Sequence, residues 1–182
     1  MRVITGLARG RRLEALEGED VRPTTDRVKE AVFSIVQFEL EGRRFLDLFA
    51  GSGQMGIEAL SRGAASAVFV DNSKKSLEIT RRNLKTTGLE SRARLVHADY
   101  YSFLSMNSER FDVAFIDPPY KTGLLQKALE RVCACMKDTG VIIAEHPRDD
   151  EILEEYGNFA LDRQYRYGKI NISTFRHKDF LT

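Results

Sequence analysis

An α/β chain built around one open, mostly parallel sheet is what this sequence predicts, and three observations predict it. Five short apolar runs alternate with helical patterns between Arg44 and Glu145. A glycine-rich stretch, Gly51-Ser52-Gly53-Gln54-Met55-Gly56, joins the first run to the helix after it. Acids recur at or near the ends of four runs: Asp47, Asp71, Asp99 and Asp117. Strand, glycine loop and helix make a nucleotide-binding unit, and strands alternating with helical segments make a parallel sheet. With 182 residues, 42 % hydrophobic and 30 % charged, the chain has the length of one domain. Residues 1–182 are therefore expected to form a single domain, with 1–22 as a basic N-terminal extension and 23–182 as its core.

Taken in order, residues 1–12 carry Arg2, Arg9, Arg11 and Arg12 without an acid, and residues 13–20 carry Glu14, Glu17, Glu19 and Asp20 without a base. Residues 3–6 and 12–16 predict two short strands of a hairpin. Pro23 halts regular structure, and Thr25 or Asp26 can cap a helix in which Val28, Ala31, Val32, Ile35 and Val36 recur at helical spacing to about Leu40. A strand at 44–49 leads through the glycine loop into a helix ending near Gly63. Strand 67–70 ends in Asp71, and a helix from Ser73 to Thr87 is closed by Gly88. Strand 93–97 ends at Ala98-Asp99-Tyr100, and a short helix at 101–104 precedes strand 111–116. Leu125, Ala128, Leu129, Val132 and Met136 mark a further helix, and 141–145 a fifth strand. Gly63, Gly88 and Gly140 read as helix C-caps. A short helix is expected near 150–156, and 159–167 and 169–175 alternate like an antiparallel hairpin around Gly168.

Composition narrows the function classes. No run approaches the ~18 apolar residues of a membrane span, and the first residues lack the apolar core of a signal peptide, so a soluble cytoplasmic protein is expected. Cys133 and Cys135 stand two apart in a helical pattern and read as packing residues. His97, His146 and His177 lack metal-site spacing, so no metal is expected. The net charge of +1 hides local patches. Arg9, Arg11 and Arg12 are candidates to hold a nucleic-acid backbone. In 163–178, Arg163, Arg166, Lys169, Arg176 and Lys178 interleave with Tyr165, Tyr167 and Phe175. That pattern suits either a stacking, backbone-tracking surface or a hairpin with one core face and one solvated face.

The chemistry gathers at Asp117-Pro118-Pro119-Tyr120, directly after the fourth strand. Pro118 ends the strand because it cannot donate to a sheet ladder, and Pro119 fixes φ again, leaving a stiff bend. The Asp117 carboxylate and the Pro118 carbonyl are acceptors with no neighbouring prolyl N–H to compete for them. A donor should arrive there, with Tyr120 offering a flat face beside it. An exocyclic amine on a nucleobase has that chemistry: two acceptors hold its N–H groups and aim its lone pair. In the glycine loop, free N–H groups of the following helix and an acid about 20 residues on, Asp71, suit a nucleoside cofactor. The letters also fit a dinucleotide fingerprint, so a hydride-transfer enzyme is a rival reading; it leaves Asp117 to Tyr120 unused.

Asp47-Leu48-Phe49-Ala50-Gly51-Ser52-Gly53 with Asp117-Pro118-Pro119-Tyr120 resembles S-adenosylmethionine-dependent methyltransferases acting on exocyclic amines. Arg22-Pro23-Thr24-Thr25-Asp26-Arg27-Val28 with Arg9-Gly10-Arg11-Arg12-Leu13 resembles, within them, the RsmD family of small-subunit ribosomal RNA guanine-N2 methyltransferases. The likeness runs over nearly the whole chain. Gln54-Met55 and Asp71 depart from the commoner Ala-Leu and Glu. The resemblance implies a Rossmann-like seven-stranded sheet with the last strand antiparallel, plus a small N-terminal β-hairpin. It implies S-adenosylmethionine held by Arg22, Pro23 and Thr24 at the methionine end, by Asp47, Phe49, Ala50, Gly51, Ser52 and Gly53 in the loop, and by Asp71, Asn72, Asp99, Tyr100 and Asp117 beyond it. Asp117, Pro118, Pro119 and Tyr120 are then catalytic. The implied partner is 16S ribosomal RNA within the small subunit or an assembly intermediate, met by a monomer without a metal. Alternatives are an N6-adenine methyltransferase and a non-catalytic RNA-binding module.

Overall fold

The computed structural model describes residues 1–18 and 24–181. Strands β1 (Arg44–Asp47), β2 (Ser66–Asp71), β3 (Ala93–His97), β4 (Phe111–Ile116) and β5 (Met136–Pro147) run parallel. They continue into β8 (Ile170–His177), β7 (Phe159–Tyr167) and β6 (Glu155–Tyr156), in the order β3-β2-β1-β4-β5-β8-β7-β6. The chain's last strand, β8, is antiparallel to β5, as expected. The eighth strand is the two-residue β6.

Successive side chains of a strand point to opposite faces, and that alternation sorts the core into two layers. Phe45, Phe69, Val113, Phe115, Val141 and Ile143 share one cluster with residues of α1 (Asp26–Ile35), α2 (Gln54–Ser61) and α3 (Lys74–Thr87). Leu46, Val68, Ala114, Ile116, Ile142 and Ala144 share the other with Phe103 of α4 (Tyr100–Met106) and four residues of α5 (Leu124–Val132). No helix among the described residues is long and apolar enough to cross a membrane.

Helix starts follow capping chemistry. Thr25 Oγ1 accepts from Val28 N–H at 3.3 Å, Ser73 Oγ from Ser76 N–H at 3.2 Å, and Gly88 closes α3 in the left-handed conformation.

Several expectations are corrected. The N-terminal hairpin forms over fewer residues than expected: residues 1–3 pair with 10–13 through the Arg2–Arg12 bridge and the bonds from Val3 N–H to Arg11, Leu13 N–H to Met1 and Gly10 N–H to Val3. It stops there because the N–H groups of Ile4 and Thr5 bond Glu58 and that of Ala8 bonds Ser61. α1 ends at Ile35, and the apolar pattern runs on through turns that bury Val36 and Leu40. No helix forms at 150–156; Tyr156 is buried edge-on to Phe175, and β6 pairs with β7. Met136 opens β5 opposite Phe111 instead of closing α5. Gly140 lies inside β5, where a Cβ would stand 2.9 Å from the Asp112 and Lys137 carbonyl oxygens, so close backbone approach explains it and not a helix cap. Cys133 and Cys135 form one 3₁₀ turn, and burial pushes both thiols up to about 12, which makes them packing groups.

Candidate active site

The order of strands reverses at β1, with β2 on one side and β4 on the other. At such a switch point the carboxyl ends of the strands leave a crevice. Here it is a cleft of about 790 Å³. Thr24, Asp47, Phe49, Ala50, Gly51, Ser52, Asp71, Asn72, Asp99, Tyr100 and Asp117 all line it, with Pro118, Pro119 and Tyr120. Gly53 stands behind the lining as the residue before α2, at φ +79°, where a Cβ would lie 2.6 Å from Thr80 Cγ2. Arg22 and Pro23 lie outside the described residues. Gly56 brings α2 down on β2: a Cβ there would meet the Phe69 ring at 2.3 Å.

Asp47, Asp71, Asp117 and Glu145 continue the alternation of Phe45, Phe69, Phe115 and Ile143, so four carboxyl groups gather on the α1/α2 side of the sheet. Asp47 is buried and accepts from Gly56 N–H at 3.1 Å. Burial pushes its carboxyl up to about 7, with Asp71 repulsion adding and the Gly56 bond opposing. Asp117 is held well above the carboxylate range by burial first, then by the charges of Glu145 and Asp47. Asp71 accepts from Gly51 N–H and Ser73 N–H, both at 2.8 Å, so it ties the glycine loop to the start of α3 as well as facing the cleft. Asp99 caps α4, and the bonds from Ser102 hold its carboxyl below the usual value. The rings of Phe49 and Tyr100, 5.9 Å apart and inclined at 32°, form an apolar wall.

Sequence reasoning missed the residues that connect these parts. Glu145 was placed on the fifth strand and given no role, yet its Oε1 accepts from Tyr120 OH at 3.3 Å and its Oε2 from Thr24 Oγ1 at 3.4 Å. The signal available was register: Ile116 pairs with Ala144, so Asp117, just past the end of β4, and Glu145, inside β5, stand side by side. Gln54, noted only as a departure, donates to the Thr24 carbonyl at 3.3 Å and accepts from Lys29 Nζ at 3.4 Å. Lys29 is fully buried, 3.8 Å from Glu58, and donates to the Arg2 carbonyl at 2.6 Å. Asn83 accepts from Glu14 N–H at 2.7 Å and donates to the carbonyls of Glu14 and Ser52.

Lys29, Glu58 and Asn83 thereby strap the N-terminal segment across α2 and α3, with Met1, Ala15 and Leu16 at the cleft. Arg9, Arg11 and Arg12 are exposed on that segment and make no ion pair among the described residues. The terminal hairpin takes the alternative with a core face. Phe175 is fully buried, Tyr165 and Tyr167 pack on the core, and Arg176 is forked onto Glu39 at 2.6 and 2.8 Å.

A family profile described as conserved hypothetical protein 95 matches residues 1–176. YlbH of Bacillus subtilis, described as a candidate rRNA methyltransferase, is 39 % identical over 98 % of this chain and 100 % of its own length. The ribosomal RNA small subunit methyltransferase D of Haemophilus influenzae is 36 % identical over 84 % of this chain and 82 % of its own length. This chain belongs to the methyltransferase D family. The family's fold is equally plain. The solved structure of YhhF from Escherichia coli, titled as a candidate methyltransferase, superposes with a TM-score of 0.87 at 31 % identity, covering 97 % of each chain. A candidate methylase from Haemophilus influenzae gives 0.81 at 30 % identity, again over 97 % of each chain.

Proposed function

We propose that this protein transfers the methyl group of S-adenosylmethionine to the exocyclic N2 amine of a guanine in 16S ribosomal RNA of the small subunit. One observation carries the reading: Pro118, Pro119 and Tyr120 border both the 790 Å³ cleft and a second, smaller cavity of about 150 Å³. The motif thus stands between a space for the cofactor and a space for a base. The larger cleft fits its ligand chemically, with the open N–H end of α2, a carboxylate at Asp71 for ribose hydroxyls, and the Phe49–Tyr100 wall for an adenine face. Thr24 lines the cleft and would take the methionine end together with Arg22 and Pro23.

S-adenosylmethionine supplies an electrophilic methyl on a sulfonium. The Asp117 carboxylate and Pro118 carbonyl accept the two N–H groups of the amine, which turns its lone pair toward that methyl, and Tyr120 holds the base by its face. The new N–C bond forms as the C–S bond breaks, and the proton shed by the amine goes to Asp117. A carboxyl already raised by burial is a better proton acceptor than an ordinary one. Positioning and fixed charge supply most of the rate. The base reaches this pocket unpaired or flipped, at a cost of a few kcal/mol, while Arg9, Arg11 and Arg12 hold the RNA backbone. The protein would meet this substrate in the cytoplasm, on a subunit or an assembly intermediate.

Calorimetric titration with S-adenosylhomocysteine and, separately, with a nicotinamide dinucleotide tests the reading. Heat from the first alone supports it; heat from the second alone overturns it.

A further inference from the structure

Which purine the site accepts is decided by the edge that carries the amine. Guanine presents two neighbouring donors, N1–H and N2–H, whereas adenine presents the N6 donors next to an N1 acceptor. A site that reads guanine needs a second acceptor beside the one that takes the amine.

Resting on the methyltransferase reading above, we propose that Glu145 is that acceptor: it takes guanine N1–H while Asp117 takes N2–H, and so makes the enzyme select guanine over adenine. Three observations place it. Asp117 and Glu145 follow the paired residues Ile116 and Ala144 on adjacent parallel strands roughly 4.8 Å apart, Asp117 just past the end of β4 and Glu145 still within β5, so both are within reach of one purine edge. Glu145 lines the 150 Å³ cavity together with Pro118, Pro119 and Tyr120, the elements that would grip the base. The hydroxyls of Tyr120 and Thr24 approach its two oxygens at 3.3 and 3.4 Å and hold the carboxylate head in one orientation. Adenine placed in the same pose would set its N1 lone pair against the negative oxygens of a carboxylate where guanine offers a donor, and a site built for a donor rejects such a base strongly.

The test uses small subunits rebuilt around 16S RNA in which the methylated guanine is replaced by 2-aminopurine. That base keeps the N2 amine but carries an N1 acceptor. Wild-type protein should methylate guanine at least about 100-fold faster than 2-aminopurine in single turnover. Glu145→Gln keeps an oxygen for Tyr120 and can turn its NH₂ toward the N1 acceptor, so it should lose rate on guanine and bring the two substrates within about tenfold. Tyr120→Phe removes one of the two hydroxyls that orient the carboxylate but leaves the carboxylate itself, and should narrow the preference for guanine by less than Glu145→Gln does. S-adenosylhomocysteine affinity, measured for each variant, reports that the fold and cofactor cleft are intact. Equal rates on both bases for wild-type protein, or an equal loss on both for Glu145→Gln, would overturn the assignment of Glu145. No methylation of guanine-containing subunits by wild-type protein would instead overturn the proposed function.

Discussion

Asp117 has two neighbours that push its charge in the same direction, Glu145 across the strand pair and Asp47 across the switch point. Its removal should therefore do more to chemistry than to binding. Asp117→Ala is expected to lower the single-turnover rate by about 100- to 10,000-fold and to leave S-adenosylhomocysteine affinity nearly unchanged, by rapid quench and calorimetry. Normal turnover in that variant would move the chemistry elsewhere. Asp47 has a different signature. Burial raises its carboxyl from 3.8 to about 7, so between those values the folded protein holds a proton that the unfolded chain has released. The stabilisation is complete below about pH 3.8 and is lost as pH rises through about 7. Asp47→Asn, neutral throughout, should flatten the fall in stability across that window by on the order of a few kcal/mol. Urea midpoints at about pH 5 and about pH 8 read it, and an equal fall in both proteins would refute it. At this scale the acids at the strand ends were legible because strand, turn and acid are adjacent in sequence. Glu145 was not, since its part depends on a cross-strand register and on Tyr120, 25 residues away.

At the scale of elements, α2 decides how closely the glycine loop sits over β1 and β2. Gly56 has no room for a methyl group: the Phe69 ring occupies the place of its Cβ, at 2.3 Å. Gly56→Ala should cost about 1–3 kcal/mol by denaturant unfolding, and Phe69→Leu in the same chain should recover part of it. Additive losses in the double variant would show that the ring is not the obstacle. The helices with clear caps, α1 and α3, were readable from Thr25, Ser73 and Gly88. The failures share a cause. Ile4 and Thr5 give their N–H groups to Glu58, some 50 residues on, and Tyr156 is drawn onto Phe175, so tertiary partners took the hydrogen bonds that local pattern had assigned to a strand and a helix.

For the whole molecule, the sheet order follows from four crossovers between parallel strands and a terminal hairpin, and it carries Asp47, Asp71, Asp117 and Glu145 to one side of one edge. That much followed from alternating patterns, because parallel strands joined by helices have few ways to pack. The strapped N-terminal segment was legible only as charge. Its arginines bear on how RNA is held. If Arg9, Arg11 and Arg12 each neutralise a phosphate, replacing all three by Ala should reduce the slope of log affinity against log salt by roughly two to three. An unchanged slope would leave them as solvated residues. The central claim is the product. The protein is incubated with labelled S-adenosylmethionine and, in parallel, unmodified small subunits, free ribosomal RNA and duplex DNA, and each is digested to nucleosides for mass spectrometry. The account predicts labelled N2-methylguanosine, most of it from the subunits; N6-methyladenine in DNA as the sole labelled product would contradict it.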